Sequence, residues 1–117
     1  MIQIISMLGA VAANSVIGTN IGGWQVLEPW ITPSLFYKFL NKTRDEGVGM
    51  DSYTFCDSYD DPMEANRWMR GHWQYWFNET HMDMLAERKV ERVRLPIGDW
   101  TINQYGPYIG CMDGAAE

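Results

Sequence analysis

The stretch THMDMLAERKVERVRLPI, residues 80–97, decides the fold class. Apolar residues recur at helical spacing in its first half, which predicts a helix with a capping box at Thr80 and Asp83 and an end near Arg88. In its second half, residues 90–97, apolar side chains alternate with Arg and Pro, as they do in a strand. A helix that leads directly into a strand predicts an α/β order and a parallel sheet.

The elements upstream of this stretch are predicted from local signals. A short strand over residues 15–21 breaks at Gly22-Gly23, where the backbone must turn or approach another group closely. The other predicted elements are a helix over 34–40 capped by Thr32 with Pro33 at its first position, a polar loop over 41–51, a helix over 62–77 and the start of a helix over 113–117.

The strand over residues 90–97 has two faces with different expected surroundings. Its apolar side chains are expected to pack on helices, and Arg94 points the other way. If that other side is a barrel interior, Arg94 is a buried cation that needs a carboxylate partner. The alternative is a surface ion pair with Glu91 or another acid, and the residues leave both alternatives open.

Composition and charge restrict the function classes. The chain has 117 residues, 46% of them hydrophobic and 21% charged, which fits one globular domain. Its net charge of -6 and scattered Lys and Arg residues argue against nucleic-acid binding, because phosphates need clustered cations. A neutral polymer such as a polysaccharide suits this charge better than a polyanion. The sequence has no cofactor fingerprint and no metal-ligand spacing.

The N-terminal residues indicate secretion. Residues 1–13 are apolar and end in small residues, which is typical of a truncated signal peptide, with residues 14–117 as the folded part. The alternative is a buried strand. This segment is too short to span a bilayer, and no other segment could cross one. Asn41 and Asn78 begin N-x-[ST] triplets and are candidate glycosylation sites.

Two cysteines, Cys56 and Cys111, could form a disulfide in an oxidising compartment. Pairing depends on the distance and direction of the two side chains, which sequence does not contain. Two free buried thiols are the alternative, and both remain open.

Glu28 is the carboxylate that the sequence places among aromatic residues. Trp24 and Trp30 lie on either side of it. A carboxylate accepts hydrogen bonds from sugar hydroxyls, and aromatic rings stack on the apolar face of a sugar. The alternative is a half-exposed loop residue beside tryptophans that belong to the core.

The helix over residues 62–77 carries a second aromatic group. Approximately helical spacing relates four aromatic residues and Met69 and predicts a core face, the aromatic residues being Trp68, Trp73, Trp76 and Phe77. The alternative is a platform for a ligand. His72 in this helix and His81 in the next one are predicted to be structural rather than catalytic.

Five collinear motifs resemble one enzyme family. They are GGWQVLEPWITPSLF at residues 22–36, DSYTFC at 51–56, HWQYW at 72–76, VRLPIGDW at 93–100 and PYIG at 107–110. The long first motif is similar to the opening of exo-1,3-β-glucanases of glycoside hydrolase family 5. Asp99 departs from the pattern, because the family often has an aromatic residue there.

The resemblance implies a fold and roles for residues. The family fold is a (β/α)8 TIM barrel with its active site at the carboxyl ends of the strands, and this chain would form about the first two β/α units. Glu28 and Trp30 would bind the terminal glucose of a β-glucan. Arg94 would orient the catalytic nucleophile.

The resemblance also implies what these residues lack. The family is a retaining one with two catalytic glutamates, which lie at the ends of later strands. We therefore expect an incomplete barrel with no catalytic residue of its own, part of a secreted or cell-wall hydrolase that removes glucose from the non-reducing ends of 1,3-β-glucan. The alternative is a non-catalytic glucan-binding or interaction fragment. A chain with an uncovered sheet edge is expected to be molten, to aggregate or to gain order from oligomers.

Overall fold

The computed structural model describes residues 17–43 and 48–117. The signal-peptide prediction for residues 1–13 lies outside the described residues, as do the first two residues of the predicted strand over 15–21. In chain order the elements are β1 (Gly18–Asn20), a 3-10 helix (Pro33–Phe39), α1 (Ser52–Asp57), α2 (Pro62–Trp76), α3 (Glu79–Glu87), β2 (Arg92–Arg94), a 3-10 turn (Asp99–Thr101) and α4 (Tyr108–Cys111).

β1 and β2 form a two-stranded parallel sheet. Gly18 pairs with Arg92 and Asn20 with Arg94, and the Ile21 amide extends the ladder by donating to the Arg94 carbonyl at 2.9 Å. The predicted parallel pairing is confirmed, but each strand has three residues, fewer than the eight predicted for the second. The register brings the carboxyl ends of both strands to the same edge of the sheet.

The apolar side chains of the second strand and its extension are not covered. Val93, Leu95 and Ile97 are all exposed, so the prediction that they pack on helices is wrong. The helix α3 precedes β2 but buries none of its own residues. A sheet of only two short strands offers little surface for a helix to cover.

α3 begins two residues earlier than the sequence predicted. Its N-cap is Asn78, whose Oδ1 accepts from the His81 amide at 3.4 Å. The His81 Nδ1 accepts from the Asn78 amide in return at 3.2 Å. The predicted capping box at Thr80 and Asp83 is therefore wrong, because His81 takes the reciprocal role that Glu or Gln usually has.

The predicted helix over residues 34–40 is a 3-10 helix, Pro33–Phe39. Thr32 precedes it but makes no side-chain cap. Its hydroxyl donates instead to the Glu28 carbonyl at 3.1 Å, which corrects the prediction of a Thr32 cap. The 3-10 helix buries Phe36 and Phe39 in the core.

α1 was not predicted from the sequence. Asp51, expected at the end of a loop, is its N-cap and accepts from the Thr54 amide at 2.8 Å. The Thr54 hydroxyl accepts from the Asp51 amide in return at 3.1 Å. Residues 41–43 and 48–50 carry no helix or strand, as predicted for that part of the loop.

α2 confirms the predicted helix over residues 62–77 to within one residue. Its core face is formed by Ala65 and Met69, with Trp73 packed at the margin. Trp68, one residue before Met69, points away from the core and is 56% exposed, and Trp76 is 37% exposed. The predicted core face is therefore wrong at Trp68 and Trp76. Successive side chains on a helix lie about 100° apart, and the two neighbours cannot share one face.

The core lies between α1, α2, α4 and the 3-10 helix. Phe55, Met69 and Met112 are fully buried in it. Cys56 and Cys111 form a disulfide with Cα atoms 5.8 Å apart, which decides between the two alternatives. Among residues 17–43 and 48–117, no helix is long and apolar enough to cross a bilayer.

The last residues form turns rather than the predicted start of a helix over 113–117. The Asn66 side-chain amide donates to the carbonyls of Cys111, at 2.9 Å, and Asp113, at 2.8 Å. Gly114 adopts a left-handed φ of 88°. These carbonyls are thereby occupied by a side chain of α2.

Candidate functional site

The loop that follows β1 carries Glu28. Its carboxylate Oε1 accepts from the Gly23 amide at 3.1 Å, and Glu28 is half-buried. Gly23 has a φ of 70°, and a β-carbon there would lie 2.9 Å from side-chain atoms of Ile31 and Thr32. Glu28 therefore closes a tight turn that only glycine fits without strain.

Side chains of α2 hold this loop in place. The Trp76 indole donates to the Gly22 carbonyl at 3.1 Å. His72 Nε2 lies 2.7 Å from the Gly23 carbonyl and 3.1 Å from the Trp24 carbonyl. Because both partners are acceptors, Nε2 carries the proton. The Trp24 indole donates to the Trp73 carbonyl at 2.9 Å. The helix therefore both donates hydrogen bonds to the loop and accepts one from it.

Trp30 lies on the same loop with a free ring. It is 74% exposed, whereas Trp24 packs on Phe77 with ring centroids 5.3 Å apart. Of the two tryptophans beside Glu28, one is part of the packed structure and the other is open to a ligand.

Arg94, at the end of β2, bonds to Asn20 at the end of β1. Its Nη1 donates to Asn20 Oδ1 at 2.9 Å, in an exposed position. Among residues 17–43 and 48–117 Arg94 has no ion pair, so the alternative of a surface ion pair with Glu91 or another acid is wrong. The alternative of a buried Arg94 on a carboxylate concerns a barrel interior and stays a prediction. Arg94 is exposed at the end of the two-stranded sheet.

Gly22 is the point where these groups converge. A β-carbon at Gly22 would lie 3.2 Å from Glu28 Oε1 and 3.6 Å from Asn20 Nδ2. Glu28 thus lies near the bonded pair Asn20 and Arg94, and the three residues are called the polar patch at the carboxyl end of the sheet. A carboxylate, an amide and a guanidinium can bind several hydroxyl groups. The sequence prediction missed Asn20, because its place beside Arg94 depends on the register of the two strands, which the structure supplies.

Both histidines are engaged in backbone hydrogen bonds, in line with their predicted structural roles. His81 closes the α3 cap and stacks on Phe77 with centroids 5.7 Å apart. Burial lowers the pKa of His72 below its ordinary value of 6.5, and hydrogen bonds to the Gly23 and Trp24 carbonyls oppose that shift in part.

The lowered pKa of His72 predicts a pH dependence of stability. In the unfolded chain the His72 ring binds a proton near pH 6.5, whereas in the folded chain its pKa is lowered and protonation occurs at lower pH. The stabilisation should be complete above pH 6.5 and lost as pH falls through the folded pKa. Urea unfolding at several pH values measures it, and a His72→Gln variant should show a flatter profile. An equal slope in both proteins would contradict the prediction.

No group of three or more potential metal ligands is found in residues 17–43 and 48–117. The candidate glycosylation residues Asn41 and Asn78 are both exposed. Asp99 accepts a hydrogen bond from the Tyr105 hydroxyl at 3.3 Å. The polar patch therefore offers hydrogen-bonding groups from the loop and from both strand ends.

Comparison with known proteins identifies the relationship of this chain. It is 36% identical to a glucan 1,3-beta-glucosidase of Kluyveromyces lactis over 101 residues, which are 84% of the chain and 23% of that protein. It is 38% identical to a sporulation-specific glucan 1,3-beta-glucosidase of Saccharomyces cerevisiae over 111 residues, 92% of the chain and 25% of that protein. Most of the chain is a glucan 1,3-β-glucosidase-related region. No family model matches.

A third relative extends the comparison to filamentous fungi. A probable glucan 1,3-beta-glucosidase A of Emericella nidulans is 42% identical over 91 residues, 78% of the chain. The glucosidase-related chain spans about a quarter or less of the length of these three relatives. The substrate-binding roles of Glu28 and Trp30 and the orienting role of Arg94 stay predictions.

Proposed function

We propose that this glucosidase-related region is the N-terminal part of a retaining hydrolase of glycoside hydrolase family 5. The intact enzyme removes glucose from the non-reducing ends of 1,3-β-glucan. The region supplies the first two β/α units of a (β/α)8 barrel and one side of the glucan site. The relatives, whose names state a glucan 1,3-β-glucosidase activity, support the substrate class.

The observation that carries the proposal is the parallel register of β1 and β2. It aligns Asn20 with Arg94, and the loop with Glu28 follows directly. In a barrel of alternating strands and helices, the groups at the carboxyl ends of the strands face the substrate. The exposed apolar side chains of Val93 and Ile97 are those that further barrel strands and helices would cover.

Each residue of the patch has a proposed role. The Glu28 carboxylate accepts hydrogen bonds from glucose hydroxyls, and its bond to the Gly23 amide fixes its direction. Trp30 presents its ring to the sugar. Arg94 donates to the carboxylate of the catalytic nucleophile in the intact enzyme and so keeps it ionised. This bond replaces, or is made in addition to, the bond that Arg94 donates to Asn20.

The acid/base and nucleophile glutamates of the proposed enzyme are not among these 117 residues. The purified chain is therefore expected to release no glucose from a 1,3-β-glucan oligomer, and Glu28→Gln should leave this result unchanged. In a full-length relative, the corresponding loss of a hydrogen-bonded carboxylate costs about 10- to 100-fold in kcat/KM. Glucose release by the chain that disappears in Glu28→Gln would overturn the assignment of catalysis to glutamates outside it.

The same proposal includes a secreted, cell-wall location with N-glycans at Asn41 and Asn78. Asn78 caps α3 through Oδ1, and the glycan would attach to Nδ2. After expression through a secretory pathway, enzymatic deglycosylation should lower the mass in two steps. Asn78→Asp keeps an N-cap acceptor but removes the attachment atom, so it should lose one step without loss of helix. If deglycosylation lowers the mass of the parent chain and of Asn78→Asp by the same amount, the glycan at Asn78 is contradicted.

A further inference from the structure

A groove of about 500 Å³ lies between α2 and the 3-10 helix. Three aromatic side chains form its walls, namely Trp68, Tyr75 and Trp76, and none of the described residues that line it is acidic. Its polar lining consists of Ser34, Arg67 and His72. A cavity of this size with aromatic walls and a few polar groups has the composition of a ligand-binding site.

The aromatic walls of the groove are exposed, and one of them is fixed. Tyr75 is 71% exposed. Trp68 lies on a face of α2 that does not pack on the core, and it is exposed as well. The two residues are seven positions apart, which places them about 10 Å apart along the helix. Trp76 is held by its bond to the Gly22 carbonyl and stacks on His72 with centroids 5.7 Å apart.

We propose that this groove binds a neutral gluco-oligosaccharide, as a second carbohydrate surface apart from the polar patch at the strand ends. The apolar faces of successive sugar rings stack on Trp68 and Tyr75. The guanidinium of Arg67 and the hydroxyl of Ser34 bond to the sugar hydroxyls at the rim. The proposal rests on the proposed function, because it assigns the same glucan chain to both surfaces.

Two observations favour a neutral sugar over other occupants. The chain carries a net charge of -6, and Arg67 is the one permanent cation among the lining residues, so a polyanion finds little attraction. The groove also adjoins the Glu28 loop, because His72 and Trp76 line it and bond to that loop. A glucan bound near Glu28 could continue along α2 without leaving the surface.

Titration of the oxidised chain with a neutral 1,3-β-linked gluco-oligosaccharide, followed by tryptophan fluorescence and by affinity electrophoresis, tests the proposal. The Trp68→Ala/Tyr75→Ala double variant should bind about tenfold more weakly or worse. Its far-UV circular dichroism should stay unchanged, since both side chains are exposed. Tyr37→Ala, at an exposed aromatic residue outside the groove, should bind like the parent chain.

The remaining outcomes separate this proposal from the proposed function. Binding that is lost in Glu28→Gln but kept in Trp68→Ala/Tyr75→Ala would overturn the groove and leave the strand-end site standing. The reverse pattern would support the groove and count against the Glu28 role. Absence of binding by the parent chain, or sedimentation showing a dimer that Trp68→Ala dissociates, would also overturn the groove as a sugar site.

Discussion

Replacing Cys56 and Cys111 together by alanine is expected to lower the free energy of unfolding by about 4 kcal/mol. The disulfide joins residues 55 positions apart, and opening a loop of that length restores much conformational entropy to the unfolded chain. Alanine suits both positions because they are buried in the core, where a serine hydroxyl would need a partner.

The loss should be measured as amide hydrogen exchange in α1 and α4, the two helices that the disulfide joins. A difference of about 4 kcal/mol corresponds to about a thousandfold faster exchange for amides that open with the whole core. Reduction of the parent chain should reproduce the effect, and reduction of the double variant should add nothing. Equal protection in the parent chain and the variant would refute the stabilising role.

This experiment also tests the predicted fate of the isolated chain. The sequence predicts that the 117 residues alone are molten, aggregate or order through oligomers, and the apolar side of β2 is exposed. In that case the double variant would show no loss of protection relative to the parent chain. A cooperative thermal transition of the oxidised chain as a dilute monomer would show that the disulfide-linked core suffices for a stable fold.

The second large effect is expected for Phe55→Ala, at about 3–5 kcal/mol. Phe55 is 0% exposed and packs with ring centroids 5.8 Å from Phe36 and 5.3 Å from Tyr59. Removal of the ring leaves a cavity under α1 that rigid neighbours fill only in part. Urea unfolding followed by tryptophan fluorescence measures the loss.

Tyr37→Ala is the matched control for this substitution. It also removes an aromatic ring, but from an exposed position on the 3-10 helix, and should change stability by less than about 0.5 kcal/mol. Similar losses in the two variants would mean that the ring of Phe55 does not organise the core. Because the Ser52 hydroxyl at the start of α1 accepts from the Leu27 amide at 2.9 Å, loosening α1 should also disturb Glu28.

The strand pairing could be predicted because alternation and helix order are local properties of the sequence. The second strand was recognised from its alternating residues, but its length was not, since the described chain offers it only β1 as a partner. α1 was missed because six residues are too few for periodicity to show. Its signal was the Asp51–Thr54 cap, in a segment that otherwise has the composition of a loop.

Three residues of the candidate site could be predicted from the sequence, but Asn20 and the contacts that hold the Glu28 loop could not. Glu28, Trp30 and Arg94 could be singled out from their neighbours and from the resemblance. The bonds that His72 and Trp76 make to the Gly22–Trp24 backbone join residues about 50 positions apart, and no local pattern encodes such a contact. The disulfide was undecidable for the same reason.

The support of the Glu28 loop has a consequence for protein engineering. The three carbonyls of Gly22, Gly23 and Trp24 accept from two side chains one turn apart on α2. If the loop with Glu28 were transplanted alone, these carbonyls would bond only to water, and the conformation of the loop would no longer be fixed. The smallest transferable unit is therefore discontinuous and consists of the loop together with the helix face that carries His72 and Trp76.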